Sequence, residues 1–174
     1  MIRKERVARL AEELRRRGLD AVYLGPSTDL EYISGLDTHP DERVRGLMVA
    51  KDERCFAMTP LLYREEMVKA FGDVPFYAEW DDHEGFTGAF RRGCEHLGIV
   101  GGKIAFNDGV RAVDMPAVRH TMPPEMVNGF DIPTRPRPPN AHAHPDITRA
   151  PPKPVDTAAA KPHHFTRPGT TRRQ

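Results

Sequence analysis

The chain changes character at one place, and that place limits what it can fold into. Up to Ile132, apolar residues recur with the periods of helices and strands. From Pro133 onward, in "PTRPRPPNAHAHPD", they all but stop. Residues 133–174 hold ten of the seventeen prolines, and their only large apolar residues are Ile147, Val155 and Phe165. Burying so little cannot offset the roughly 1–2 kcal/mol per residue of backbone entropy lost on ordering. Charge divides at the same point. Residues 133–174 carry eight Lys/Arg against Asp146 and Asp156, a net +6, leaving 18 basic and 23 acidic residues in 1–132, a net −5. The sequence therefore predicts a folded body over 1–132 and a disordered Pro/Arg-rich tail over 133–174.

The body carries few clues to compartment beyond exclusions. Cys55 and Cys94 form neither a disulfide framework nor a metal-ligand spacing, and read as buried thiols in a reducing compartment. The opening "MIRKERVARLAEELRRRG" is charged throughout and has no signal-peptide core. No run approaches the ~20 apolar residues of a membrane span. A cytoplasmic protein with no membrane partner is expected.

Periodicity gives the fold class. Val7, Leu10, Ala11 and Leu14 make one stripe of a helix over 2–17 that Gly18 stops. "LDAVYLG" (19–25) reads as a strand buried on both faces. A short helix over 29–34 follows, started at Pro26-Ser27-Thr28 and closed by Gly35. Residues 45–60 read as two strands about the turn Lys51-Asp52-Glu53. A helix over 61–72 has Leu62, Met67, Val68 and Phe71 on one side. A strand over 74–79 has Pro75 near its start, which suits a sheet edge. A helix over 84–98 with Phe86, Phe90, Cys94 and Leu97 as its stripe, a buried strand over 102–107, a helix around 113–120 and a last strand within 125–132 complete the body. This order predicts an α/β fold, a mixed sheet of five or six strands with helices on both faces.

Chemistry concentrates in "YISGLDTHPDERVRGLMV" (32–49). His39, Asp41, Glu42 and Arg43 fall in a loop between a helix stop and a strand, where a rigid sheet can present them. Arg43 can clamp a carboxylate with two parallel hydrogen bonds, and His39 can exchange a proton near neutral pH. The plainer reading is a solvated loop tethered by a Glu–Arg pair. "WDDHEG" (80–85) superficially resembles a metal site, but Asp81 or Asp82 as N-cap of the following helix explains its acids. Trp80, the sole tryptophan, is either a core residue or an exposed contact. "GIVGGK" (98–103) precedes a strand instead of linking strand to helix, so it is a turn and not a phosphate cradle. His142, His144, His163 and His164, with the basic residues around them, offer loose binding of metal or polyanions; a segment with no binding role is favoured.

The order and wording of 1–132 resemble the N-terminal domain of the creatinase/prolidase family, to which Xaa-Pro dipeptidases and aminopeptidase P belong. "RLAEELRRRGLDAVYLGPSTDLEYISGL" is similar to the family's amphipathic helix, "GLDA" strand and helix end, with Tyr32, Ser34 and Gly35 on the last element. "HPDERVRGLMV" resembles a loop of the bacterial dipeptidases commonly written D-P-H-E-R-x-x-x-L-x-V. Asp and His have exchanged sides of Pro40, while Glu42 and Arg43 keep their places. "KIAFNDGVRAVDMPAVRHTMPPEMVNGFDI" resembles the stretch that closes this domain.

The resemblance implies a ribonuclease-H-like α/β fold and a second, "pita-bread" catalytic domain beyond it. In the family that second domain holds two divalent metal ions (Mn, Co or Zn) through two Asp, one His and two Glu. It also implies that the N-terminal domain mediates dimer contacts and lends loop residues to a neighbouring active site. His39, Asp41, Glu42 and Arg43 are the substrate-contacting candidates in trans; the exchange about Pro40 weakens the case for Asp41. The family's linker and amphipathic helix are replaced here by "PTRPRPPNAHAHPDITRAPPKPV", and no glutamate follows Glu125. A two-metal centre needs bridging carboxylates, so no catalytic residue and no bound metal are expected of this chain.

The abrupt change and an arginine-to-lysine ratio of twenty to six suggest GC-rich coding and out-of-frame translation after Ile132. The expectation is therefore a truncated N-terminal domain of an Xaa-Pro peptidase-like metallohydrolase, inactive alone, that forms a homodimer or pairs with a catalytic domain. The alternatives are a non-catalytic dimerisation module and a fragment of a creatinase-type amidinohydrolase. Nucleic acid is not favoured as a partner.

Overall fold

The computed structural model describes residues 1–121 and 125–128, with side chains up to residue 119. The tail over 133–174, its histidines and the end of the expected last strand lie outside the described residues.

Helix α1 spans Lys4–Arg16 and buries Val7, Leu10, Ala11 and Leu14, the stripe read from the sequence. Strand β1 (Ala21–Leu24) follows and is buried along its whole length. Helix α2 (Thr28–Ser34) begins where the Ser27 hydroxyl accepts the Leu30 N–H and ends at Gly35, whose φ of 78° allows the left-handed turn. Strands β2 (Gly46–Ala50) and β3 (Cys55–Pro60) flank the charged turn. Helix α3 (Arg64–Phe71) comes after a 3-10 turn, Leu61–Tyr63, and strand β4 (Tyr77–Trp80) after that. Helix α4 (Thr87–Leu97), strand β5 (Lys103–Phe106), helix α5 (Met115–Thr121) and strand β6 (Glu125–Asn128) finish the series.

The six strands lie in the order β4-β3-β2-β1-β5-β6. β1, β2 and β3 are antiparallel neighbours, while β4 joins β3 and β5 joins β1 in parallel. This is the mixed, ribonuclease-H-like sheet expected. Strand alternation divides its two faces. Val22, Leu24, Leu47 and Val49 pack beneath α1, α2 and α3, whereas Ala21, Tyr23, Met48 and Phe56 pack against α4 and α5. Both faces are covered, so the central strands contain almost no polar residue. On the second face the Tyr23 and Phe90 rings meet edge to face at 5.5 Å, a geometry worth about 1 kcal/mol beyond burial.

Two expectations need correcting. The first concerns α3, which buries only Met67 and Phe71; Leu62 and Val68 are exposed. The 3-10 turn rotates Leu62 off the helical stripe. The second concerns the acids before α4. Neither caps the helix, which starts six residues beyond Asp81 with Phe86 at its N-cap and no side-chain cap. A turn intervenes, in which the Asp81 carboxylate accepts the His83 N–H and Gly85 adopts a φ of 71°. Trp80 is a core residue, 6% exposed, and its indole N–H donates to the Val44 carbonyl at 3.0 Å. Cys55 and Cys94 are buried free thiols, and burial pushes each up to about 12.

Candidate functional site

At one end of the sheet, beyond the carboxyl ends of the parallel strands β1 and β5, three connections come together. They are Gly25–Ser27 after β1, residues 36–45 before β2, and Asn107–Asp114 after β5. Open α/β sheets characteristically bind ligands beyond their carboxyl strand ends. Asn107, buried at the end of β5, staples two of the connections. Its Oδ1 accepts the Gly25 N–H at 2.9 Å and its Nδ2 donates to the Ser27 hydroxyl at 2.7 Å. The backbones cross so closely that a Cβ on Gly109 would lie 2.4 Å from the Pro26 carbonyl oxygen. Only glycine permits that approach.

The middle connection is held through Asp41. Its Oδ1 accepts the Arg43 N–H at 2.9 Å, closing a local turn. Its Oδ2 accepts the Tyr63 hydroxyl at 2.7 Å and lies 3.3 Å from Arg45 Nη2. The same Arg45 nitrogen donates to the His39 carbonyl at 2.8 Å, and its guanidinium sits 4.0 Å above the Tyr63 ring. Arg111 reaches from the third connection to donate to the Asp41 carbonyl at 3.0 Å, while gripping Asp114 with Nε and Nη2 at 2.9 Å each. Burial pushes the Asp41 carboxyl up, but the Tyr63 hydroxyl, the Arg43 N–H and the nearby guanidinium charges more than reverse this, so its pKa lies below the usual carboxylate range.

Beyond this anchor the loop presents its charges to solvent. Arg43 does make a bidentate clamp, and its partner here is the chain's own Asp82, at 3.0 and 2.7 Å. Glu42 pairs with the Arg43 Nη1 and is exposed. The Asp82 side chain is 57% exposed, so a competing carboxylate can reach the guanidinium from outside. The pairing holds the Asp82 carboxyl below its ordinary value. Asp41, Glu42 and Arg43 are thus brought together; His39 joins the network through its carbonyl, and its side chain is at the surface.

Arg45, Tyr63, Arg111, Asp114 and Tyr23 complete the site without having been singled out in the sequence. Arg45 stands two residues beyond Arg43, immediately before an all-apolar strand, and that position was its only signal. Tyr63 looked like a helix residue, Arg111 like a loop charge, and Asp114 fell in the helix expected around 113–120. Three buried groups at this end, the Tyr23 hydroxyl, Arg45 Nε and the Thr59 hydroxyl, have no hydrogen-bond partner among the described residues. Burial, and then the charge of Asp114, push the Tyr23 hydroxyl upward. Leaving such a group unpaired costs about 1–3 kcal/mol.

A dinuclear metal centre does not fit these side chains. Among the described residues no three His, Cys, Asp or Glu side chains gather into a ligand set, and the carboxylates of Asp41, Asp82 and Asp114 are each matched to a guanidinium. Likewise, no described helix is long and apolar enough to cross a membrane.

Residues 6–122 match the creatinase/prolidase N-terminal domain family. Together with the mixed sheet, this establishes the class: the chain belongs to that family. It is 34% identical over 76 residues to an Xaa-Pro dipeptidase of Lactobacillus delbrueckii subsp. lactis, a match covering 42% of this chain and 21% of the relative. A dipeptidase from Pyrococcus horikoshii OT3 superposes with a TM-score of 0.64 at 25% identity, over 74% of this chain and 35% of that one. The N-terminal domain of an Xaa-Pro dipeptidase from Lactobacillus brevis superposes with a TM-score of 0.61 at 20% identity, over 72% of this chain and 92% of that domain. The chain thus spans about a fifth to a third of the full-length relatives and nearly all of the isolated N-terminal domain.

Proposed function

We propose that this chain acts as the non-catalytic N-terminal domain of a cytoplasmic Xaa-Pro dipeptidase-like metallohydrolase. It supplies an assembly surface and a substrate-gating loop to a catalytic domain in a homodimer or partner chain, and is inactive alone. Two divalent ions would be held by that catalytic domain. The roles in this chain fall to His39, Asp41, Glu42 and Arg43. Asp41 orients the loop. Arg43 exchanges its exposed Asp82 partner for a carboxylate of the substrate or of the neighbouring active site. Glu42 and His39, both exposed, would bear on an amine or a proton there.

The observation that carries this reading is the way the loop is held. A deeply buried arginine fixes its root through Asp41, while its tip keeps a bidentate guanidinium on a solvent-exposed carboxylate. Such an arrangement is rigid where precision is needed and exchangeable where contact is made. The names of the relatives, Xaa-Pro dipeptidases, support the reaction class.

A chimera tests this. Residues 1–128 replace the matching N-terminal stretch of the Lactobacillus delbrueckii Xaa-Pro dipeptidase, and hydrolysis of an Xaa-Pro dipeptide is followed with Mn²⁺. Arg43→Ala is expected to lower kcat/KM by about tenfold or more without dissociating the assembly. The remote Lys51→Ala is expected to be silent. An active chimera indifferent to Arg43→Ala and Glu42→Ala rejects the gating role.

A further inference from the structure

Exposed apolar surface gathers at one corner of the molecule. Of the six large apolar side chains exposed among the described residues, three, Leu61, Leu62 and Val68, lie on the 3-10 turn and α3. Leu61 is 47% and Leu62 68% exposed. Leucines so open add little to the core, and adjacent ones mark a contact surface. The sheet fixes where they stand. Leu61 follows Pro60, whose register partner across the β3–β4 ladder is Trp80, and Asp81 and Asp82 follow Trp80. The two leucines and the two aspartates thus leave neighbouring parallel strands, about 4.8 Å apart. Arg64, two residues beyond Leu62, pairs with Glu79 at 2.6 Å.

Acid surrounds this corner. Residues 42–43, 64–66 and 79–84 hold seven acidic residues and two arginines, a net −5. The other 16 basic and 16 acidic residues of 1–132 cancel, so the whole excess of acid in the body lies here. Both arginines are already paired, Arg43 with Glu42 and Asp82, Arg64 with Glu79. Glu65, Glu66 and Glu84 have no basic partner among the described residues.

A surface that covers such a corner must be apolar at its centre and basic around it. A second copy of this chain does not qualify. Two copies meeting here across a twofold axis would set −5 against −5. The basic helix α1 of a second copy offers no apolar centre, because its Val7, Leu10, Ala11 and Leu14 are all buried.

We propose that this corner docks another protein domain, through a surface that buries Leu61 and Leu62 and rims them with lysine or arginine. Taking that domain to be the catalytic one rests on the reading above; the chemistry of its surface does not. The docked turn also carries Tyr63, whose hydroxyl holds Asp41, so the partner would seat against the element that anchors the loop.

The test uses the full chain and, as probe, a labelled amphipathic helical peptide of leucine and lysine, read by fluorescence anisotropy at low salt. Saturable binding is expected, weakened about tenfold or more by Leu61→Ser/Leu62→Ser. Glu65→Gln/Glu66→Gln and, separately, 0.5 M salt should each weaken it severalfold. A leucine–glutamate peptide of the same pattern should not bind. All four substituted side chains are exposed, so both variants should melt within about 4 °C of the wild type. Absent binding, binding indifferent to the leucine substitutions, or equal binding of the leucine–glutamate peptide overturns the proposal. Sedimentation equilibrium without peptide should be unchanged by Leu61→Ser/Leu62→Ser; self-association lost in that variant would make a second copy the occupant and overturn it too. A chimera indifferent to Arg43→Ala would reject gating and leave this result standing, because peptide binding is read without a catalytic domain.

Discussion

The two ends of the sheet are both rich in charge, yet they are built on opposite principles. At the end where β1 begins, each pair has a cation at least half exposed to water: Lys51 with Asp20 at 2.7 Å, Arg54 with Asp52 at 2.8 Å, Arg16 with Glu13 at 2.6 Å. The Arg54 Nη2 also donates to the Leu97 carbonyl at 2.7 Å, closing the end of α4. At the end where β1 finishes, the buried Arg45 and Asp41 tie together residues from three segments, and three buried polar groups are left over among the described residues. Exposed pairs are screened and contribute little. A buried pair is costly to disturb, and its unsatisfied neighbours signal demands other than stability. The first end closes the fold, and the second anchors the 36–45 loop.

The sharpest way to break this comparison is to add one methyl group at each end. A Cβ on Gly46 would lie 2.1 Å from the Leu24 carbonyl oxygen, so Gly46→Ala should cost about 4 kcal/mol or prevent folding. Gly101→Ala meets only the strain of its φ of 74°, with open space around it, and should cost about 1–2 kcal/mol. Urea denaturation measures both, and equal losses would erase the contrast between the ends.

Arg45→Met should cost about 3 kcal/mol, because it strips the buried cation from Asp41. The exposed Lys51→Met should cost about 0.5 kcal/mol. In 1 M salt the second loss should disappear and the first persist.

Acid titration refines the same point. The folded pKa of Asp41 lies below its ordinary value. Its contribution is therefore complete above the unfolded value of about 3.9 and is lost as pH falls through the folded value. Asp41→Asn should destabilise by about 1–2 kcal/mol at pH 7, and the difference from wild type should close as pH falls through the lowered folded value. Glu13, held at about 2 chiefly by the Arg16 hydrogen bond, should give a Glu13→Gln effect that follows the same sign but vanishes in high salt.

The smallest stability effect is expected at the loop tip. Arg43→Ala should move Tm by no more than about 2 °C, since its partner Asp82 is exposed. A large Tm loss there would make the clamp structural instead of functional.

What the sequence disclosed follows this division. The stripe Val7, Leu10, Ala11, Leu14, the all-buried β1 and the Ser27–Gly35 punctuation of α2 are local patterns, and their elements formed where expected. The 39–43 loop was visible because charges crowd between a helix stop and a strand. Its anchor was not. Tyr63 approaches Asp41 from 22 positions away, and Arg111 from 70; nothing local marks such partners. Nor could a stripe reveal that a 3-10 turn would rotate Leu62 outward, or that Gly85 would separate Asp81 and Asp82 from α4 and free Asp82 to meet Arg43.

The account stands most directly on one assay, steady-state hydrolysis of an Xaa-Pro dipeptide by the purified chain supplied with Mn²⁺ or Co²⁺. It predicts no turnover above the metal blank at any protein concentration. Turnover that scales with the chain and falls away in Arg43→Ala would contradict it, placing the catalyst in this polypeptide and not in a partner domain.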